Sequence, residues 1–101
     1  MTQPELSDAV GKLARDFSRR ELAPIVFECD ESETFPEAAY KKLVPTGLHA
    51  LGLPEEFGGG GSLRALATVA EELSRVDPGF VLSVLASSQL FGYNVARLGT
   101  P

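Results

Sequence analysis

Few side chains in this chain could do chemistry. The single cysteine, Cys29, and the single histidine, His49, are the one available nucleophile and imidazole base. Nucleophilic catalysis needs the two held side by side, and nothing in their spacing puts them there. One histidine and one cysteine also exclude multi-cysteine zinc sites, paired imidazole ligands and an intramolecular disulfide framework. Glu55-Glu56 and Glu71-Glu72 are adjacent carboxylates. Neighbours on a helix do not face each other, so paired acid–base work is not implied. The acidic stretch 28–37, with Glu28, Asp30, Glu31, Glu33 and Glu37, could attract a cation. It reads better as a solvated turn whose acids favour the next helix N-terminus. No catalytic residue and no metal site is assigned.

The four glycines at 58–61, placed before a helix, invite a phosphate-loop reading. The test fails. Leu63-Arg64 follows Ser62 where a phosphate loop needs Lys-Ser/Thr. The dinucleotide pattern fails as well, and no strand precedes it. The run is expected to supply positive φ or close backbone approach. Ser83, Ser87 and Ser88 lie within a greasy helix. They either let helices approach closely or line a narrow apolar pocket, and the residues alone leave both open.

The elements that position these groups are helical. Alternating strand patterns are missing, which predicts an all-α fold: a small bundle of about four helices with no sheet. The first helix is expected from about Pro4 to Arg20, with Leu6, Val10, Leu13 and Phe17 as its apolar stripe. Thr2 and Glu5 have capping-box spacing, and Pro24 should kink or restart the helix before its face continues to about Asp30. Thr34 and Glu37 suggest a second capping box. The second helix, 36–46, turns Ala39, Tyr40, Leu43 and Val44 inward and ends at Gly47. A greasy loop follows, carrying Leu48, Leu51, Leu53 and Phe57, and it should pack down on the helices. Ser62 caps a third helix, 63–76, which turns Leu66, Ala70 and Leu73 to one face. Asp77-Pro78 opens a fourth, to about Leu98, that is apolar almost all round. Such a helix wants neighbours on most sides. Four short helices cannot supply them, so a bare apolar patch involving residues 80–91 is expected.

The bulk numbers agree. The chain has 101 residues, 44% of them apolar and 23% charged, and a formal charge of −5. That is one domain of ordinary globular composition. The acidic balance argues against nucleic acid and against anionic membranes. The apolar stretch 80–90 reads as too short and too polar to span a bilayer. The N-terminus lacks the pattern of a signal peptide, so the chain reads as soluble and cytoplasmic.

Five segments, taken in order, resemble one family, the flavin-dependent acyl-CoA dehydrogenases. They are FSRRELAPIVFECD (17–30), TFPEAAYKKLVPTGL (34–48), GLHALGLPEEFGG (47–59), VAEELSRVDP (69–78) and RLGT (97–100). The resemblance covers nearly the whole chain and maps onto the family's N-terminal all-helical domain. Pro45, the two extra glycines and His49-Ala50 depart from the family's pattern.

The resemblance implies that residues 1–101 are a single N-terminal helical domain, a fragment of a longer flavoenzyme that oxidises acyl thioesters between the α and β carbons. The chain ends at Thr100-Pro101, where the family's next helix would start with Thr100 as its cap. FAD belongs to the full-length family, and none is expected on this chain alone. The catalytic base and the flavin domain are also expected elsewhere. The implied partners are the remainder of the flavoenzyme and an acyl thioester, with a homo-oligomer when complete. Phe80, Ser83, Val84, Ser87 and Phe91, at i, i+3, i+4, i+7 and i+11, are the implied acyl-pocket wall, on one helix face. The competing reading is a stand-alone helical module that binds or dimerises through its last helix without catalysis.

Overall fold

The computed structural model describes residues 2–100. Thr2 starts the first helix as the spacing predicts. Its hydroxyl accepts from the Glu5 N–H, and its own N–H donates to the Glu5 carboxylate, both at 3.2 Å. Helix α1 (Gln3–Phe17) then passes through a π-helical segment (Ser18–Leu22) into α2 (Ala23–Glu31). The helix is widened, not broken. Pro24 has no N–H for the carbonyl four residues back, and a π-turn just upstream absorbs the mismatch. The π spacing is seen where the Ala23 N–H donates to the Ser18 carbonyl.

Helix α3 (Glu37–Leu43) tightens into a 3-10 turn (Val44–Thr46) that accommodates Pro45. It stops at Gly47, whose φ of +78° is the left-handed cap expected there. The second capping box does not form. Pro36 takes the cap position without a side-chain bond, and the Thr34 hydroxyl pairs instead with Ser32 at 2.8 Å. Val44, expected inward, is 40% exposed, although its N–H still bonds the Tyr40 carbonyl in α register.

Helix α4 (Leu63–Ser74) starts at Ser62, which accepts from the Ala65 N–H at 3.0 Å and donates to Gln3 at 2.6 Å, tying the starts of α4 and α1 together. Helix α5 (Pro78–Leu85) starts at Asp77, which accepts from the Phe80 N–H at 3.2 Å. It runs on through a second π segment (Ala86–Tyr93) into α6 (Asn94–Leu98). Counting the fused helices as single rods leaves four, and no strand occurs among the described residues. The fold is the all-α bundle that the sequence implies.

Helices α1 and α4 form the central seam. On α1 the inward residues are Ser7, Val10, Gly11, Ala14 and Phe17. Leu13, expected in the stripe, is 57% exposed. The seam uses small residues because the helices run close: a Cβ on Gly11 would sit 3.2 Å from the Thr68 methyl. Leu66, Val69, Leu73, Leu43, Leu22 and Phe80 complete the core. Each large side chain so buried contributes roughly 1.5–3 kcal/mol.

A charged clasp crosses the same seam. The Arg15 Nε and Nη2 donate to the two Glu72 oxygens at 3.3 and 3.2 Å, and Arg75 Nε approaches Glu72 at 3.6 Å. The Arg15 hydrogen bond holds the Glu72 carboxyl below its ordinary 4.5. A depressed carboxyl stabilises the fold above its unfolded pKa, and that support is lost as pH falls through the folded value. The melting-temperature gap between wild type and Glu72→Gln should therefore be open at neutral pH and close on acidification below 4.5. Thermal melts against pH check this; a gap independent of pH would contradict it.

Candidate functional site

The last rod, Pro78–Leu98, is the element on which the candidate residues sit. It is 21 residues long, with an 18-residue window at a mean hydropathy of 1.2. By length and composition it could cross a bilayer, which corrects the expectation drawn from residues 80–90 alone: the helix runs past that stretch at both ends. The same composition serves a helix packed against protein, and its inner side is already so used.

The structure divides the five predicted wall residues into two groups. Phe80 and Val84 point into the core, Phe80 only 1% exposed. Phe80 stacks on Phe35 at a 5.8 Å centroid distance and meets Tyr40 edge-on at 6.3 Å. Ser83, Ser87 and Phe91 lie on the outer side, Phe91 at 70% exposure. The expectation of one common face is corrected here: Ser83 already lies outward within regular α5, and the second π segment turns Phe91 as well. Eleven residues are three turns of α-helix, which would stack Phe91 over Phe80. The wider π-turn rotates Phe91 outward.

The outer side of the rod carries Leu82, Leu90 and Leu98 together with Ser83, Ser87, Phe91 and Val95. Leu90 is 72% exposed and Leu98 80%. The expected bare apolar patch therefore exists, with Phe80 and Val84 behind it rather than on it.

The serines are held, not free. Ser87 donates to the Val84 carbonyl at 3.0 Å and shares a 3.1 Å hydrogen bond with the Tyr40 hydroxyl. Ser83 reaches the Gly79 carbonyl at 3.4 Å. Ser88 is buried on the Val84 carbonyl at 2.9 Å. Ser83 and Ser87 thus present small surfaces on the outer side, with their hydroxyls turned back to the helix.

The loop 47–62 buttresses this rod. Its Leu53 meets Gly92, and with Phe57, Val95 and Ala96 it lines an apolar groove of about 510 Å3. The glycines close the loop. Gly58 has φ +89°, and a Cβ on Gly59 would collide with the Leu53 carbonyl. The N–H groups of Gly59, Gly60, Gly61 and Ser62 donate to carbonyls within residues 50–54 at 2.7–3.1 Å. Amides spent in this way are not free to cradle a phosphate.

Cys29 and His49 are not brought together. Cys29 borders a cleft with Asp30, Glu33, Thr34 and Phe35, while His49 sits in the 3-10 turn Leu48–Ala50. Burial holds the His49 imidazole below its ordinary 6.5, and its Nδ1 is buried without a partner. No group of three or more possible metal ligands occurs among the described residues. Sequence reading passed over Gln89. It is half-buried, its amide nitrogen lacks a partner, and a Cβ on Gly52 would collide with that nitrogen. A polar residue on the inner flank of a greasy helix was the available signal.

A family model described as the acyl-CoA dehydrogenase N-terminal domain matches residues 4–101. Among curated relatives, a 3-(aryl)acrylate reductase of Clostridium sporogenes is 34% identical over 95% of this chain and 26% of its own length. The porcine mitochondrial short-chain specific acyl-CoA dehydrogenase is 39% identical over 80% of this chain and 20% of its own length. An acryloyl-CoA reductase (NADH) of Anaerotignum propionicum is 44% identical over 59% of this chain and 16% of its own. The chain therefore spans about a quarter or less of the relatives it matches. No solved structure matches it significantly. Capped helices in the expected order, an Asp-Pro start to the last rod and a family match along nearly the whole length agree: the chain belongs to the acyl-CoA dehydrogenase family, as its N-terminal domain.

Proposed function

We propose that this chain forms one wall of the acyl slot of a flavin-dependent enzyme that oxidises or reduces the α,β bond of an acyl thioester. The observation that carries the reading is the outer side of the last rod, where Ser83, Ser87 and Phe91 lie bare beside Leu82 and Leu90. A fatty tail needs a dry, apolar surface with small side chains where it must pass and a large one where it must stop. Ser83 and Ser87 leave the room and Phe91 limits it. Phe80 and Val84 fix the helix from behind. The relatives named as acyl-CoA dehydrogenases and acrylate reductases support the substrate class.

The glycine run does not offer a cradle for a flavin's phosphates. The glycine-run amides are spent on the loop's own carbonyls, and the groove beside Phe57 is apolar. No redox step is routed through this chain. Its part is to bind, orient and exclude water, while the acid–base and redox groups come from the rest of the protein.

A chimera tests this. The porcine short-chain enzyme, with its matching N-terminal segment replaced by this chain, should oxidise acyl thioesters. The chain alone should show no turnover. A chimera that folds and binds flavin but turns over no thioester of any length would overturn the reading.

A further inference from the structure

We infer that the Tyr40 and Ser87 hydroxyls form a hydrogen-bond acceptor that selects acyl tails carrying a hydroxyl; this rests on the acyl-wall reading and narrows its substrate class. The two hydroxyl oxygens lie 3.1 Å apart, and the Ser87 oxygen also lies 3.0 Å from the Val84 carbonyl. A carbonyl can only accept, and each hydroxyl has one proton. Both hydrogen bonds are made only if Ser87 donates to Val84 and Tyr40 donates to Ser87. Both protons are then used, and what the pair still offers is lone pairs. Ser83, one turn back on the rod, turns its proton inward in the same sense, to the Gly79 carbonyl at 3.4 Å.

The pair is open to solvent, with Ser87 exposed and Tyr40 half-buried. The Tyr40 ring is held edge-on by Phe35 at 5.9 Å and by Phe80 at 6.3 Å, which fixes where its hydroxyl sits. The charges of α3 are engaged with other partners: Glu37 with Lys41 at 3.3 Å and Lys42 with Glu21 at 2.8 Å. No α3 carboxylate is left to hold a cation here, so the pair suits a neutral donor. Phe91 and Leu90, on the same side of the rod, make the rest of the face apolar. A tail laid over this face takes water from the lone pairs, and an acceptor covered without a donor costs free energy. A hydroxyl at the matching depth of the tail restores the hydrogen bond. A hydroxyl elsewhere along the tail meets apolar side chains and is itself left unpaired. Its position along the tail therefore matters as much as its presence.

The test uses the porcine chimera carrying the whole of this chain. kcat/KM is compared for the longest acyl-CoA it accepts and for the hydroxy analogues of that substrate, taken position by position beyond the β carbon. One position is expected to match or exceed the plain substrate, while its neighbours fall roughly tenfold below it. Tyr40→Phe keeps the ring packing and should lower that one analogue by about threefold to tenfold relative to the plain substrate, the loss of one hydrogen bond. Ser87→Ala should move the same ratio in the same direction, and Lys41→Gln should leave it alone. A profile with every hydroxy position equally disfavoured, or a Tyr40→Phe chimera with the wild-type profile, would overturn the inference while the acyl wall stands. A chimera that binds flavin and turns over no plain thioester overturns the acyl wall itself, and this inference with it.

Discussion

Phe80→Ala is expected to destabilise the domain by about 3–5 kcal/mol. Phe80 is one of the large side chains exposed by less than 2%, and it sits where α3, α5 and Phe35 meet. Truncation opens a cavity between Phe35 and Tyr40, and neither ring can fill it without leaving its own backbone position. A domain of this size has a total stability of about 5–15 kcal/mol. The loss is thus a large share of it, a drop in melting temperature on the order of 20 °C. Leu82→Ala, two residues on and 70% exposed, should change stability by no more than about 0.5 kcal/mol. Denaturant melts of both variants check the pair. Similar small losses at both positions would mean that the rod is not rooted through Phe80.

The second large effect concerns association. Replacing Leu90 and Phe91 together with lysine should leave the melting temperature of the chain nearly unchanged, since both are mostly exposed. Burying two such side chains against a partner is worth roughly 3–6 kcal/mol, more than a hundredfold in affinity. Light scattering over a dilution series should show the wild-type chain self-associating through this surface and the double variant monomeric. A wild-type chain monomeric at every concentration would contradict the account. A closed dimer with one cooperative melt would favour the stand-alone module instead.

Much of the fold was legible in the residues. The Thr2–Glu5 box, the Ser62 and Asp77 caps and the Gly47 stop all use side chains or φ values whose local chemistry permits little else. What escaped was decided by tertiary contact or by helix register. Leu13 fits an apolar stripe, yet the seam runs through Gly11 and Ala14, because closeness to α4 outweighs size. Thr34 and Glu37 have the spacing of a box, but Pro36 takes the cap position. Pro24 marked a disturbance of the first helix, expected as a kink or restart and found as a π-turn. The second, at Ala86–Tyr93, has no proline, and no residue type in it marks the turn of Phe91 away from Phe80. The predicted wall also mixed Ser83, outward within regular α5, with the core residues Phe80 and Val84.

The most direct test of the acyl-wall claim is a chain-length profile. In the porcine chimera, kcat/KM would be measured across acyl-CoA lengths for wild type, Ser87→Leu and Ser87→Ala. Ser87→Ala removes the Tyr40 hydrogen bond without adding bulk and serves as the control. The account predicts that Ser87→Leu lowers kcat/KM at least about tenfold for the longest accepted chain while leaving the shortest within roughly twofold, with flavin content unchanged. A uniform loss at every length, or none at all, would place the acyl tail somewhere other than along this helix.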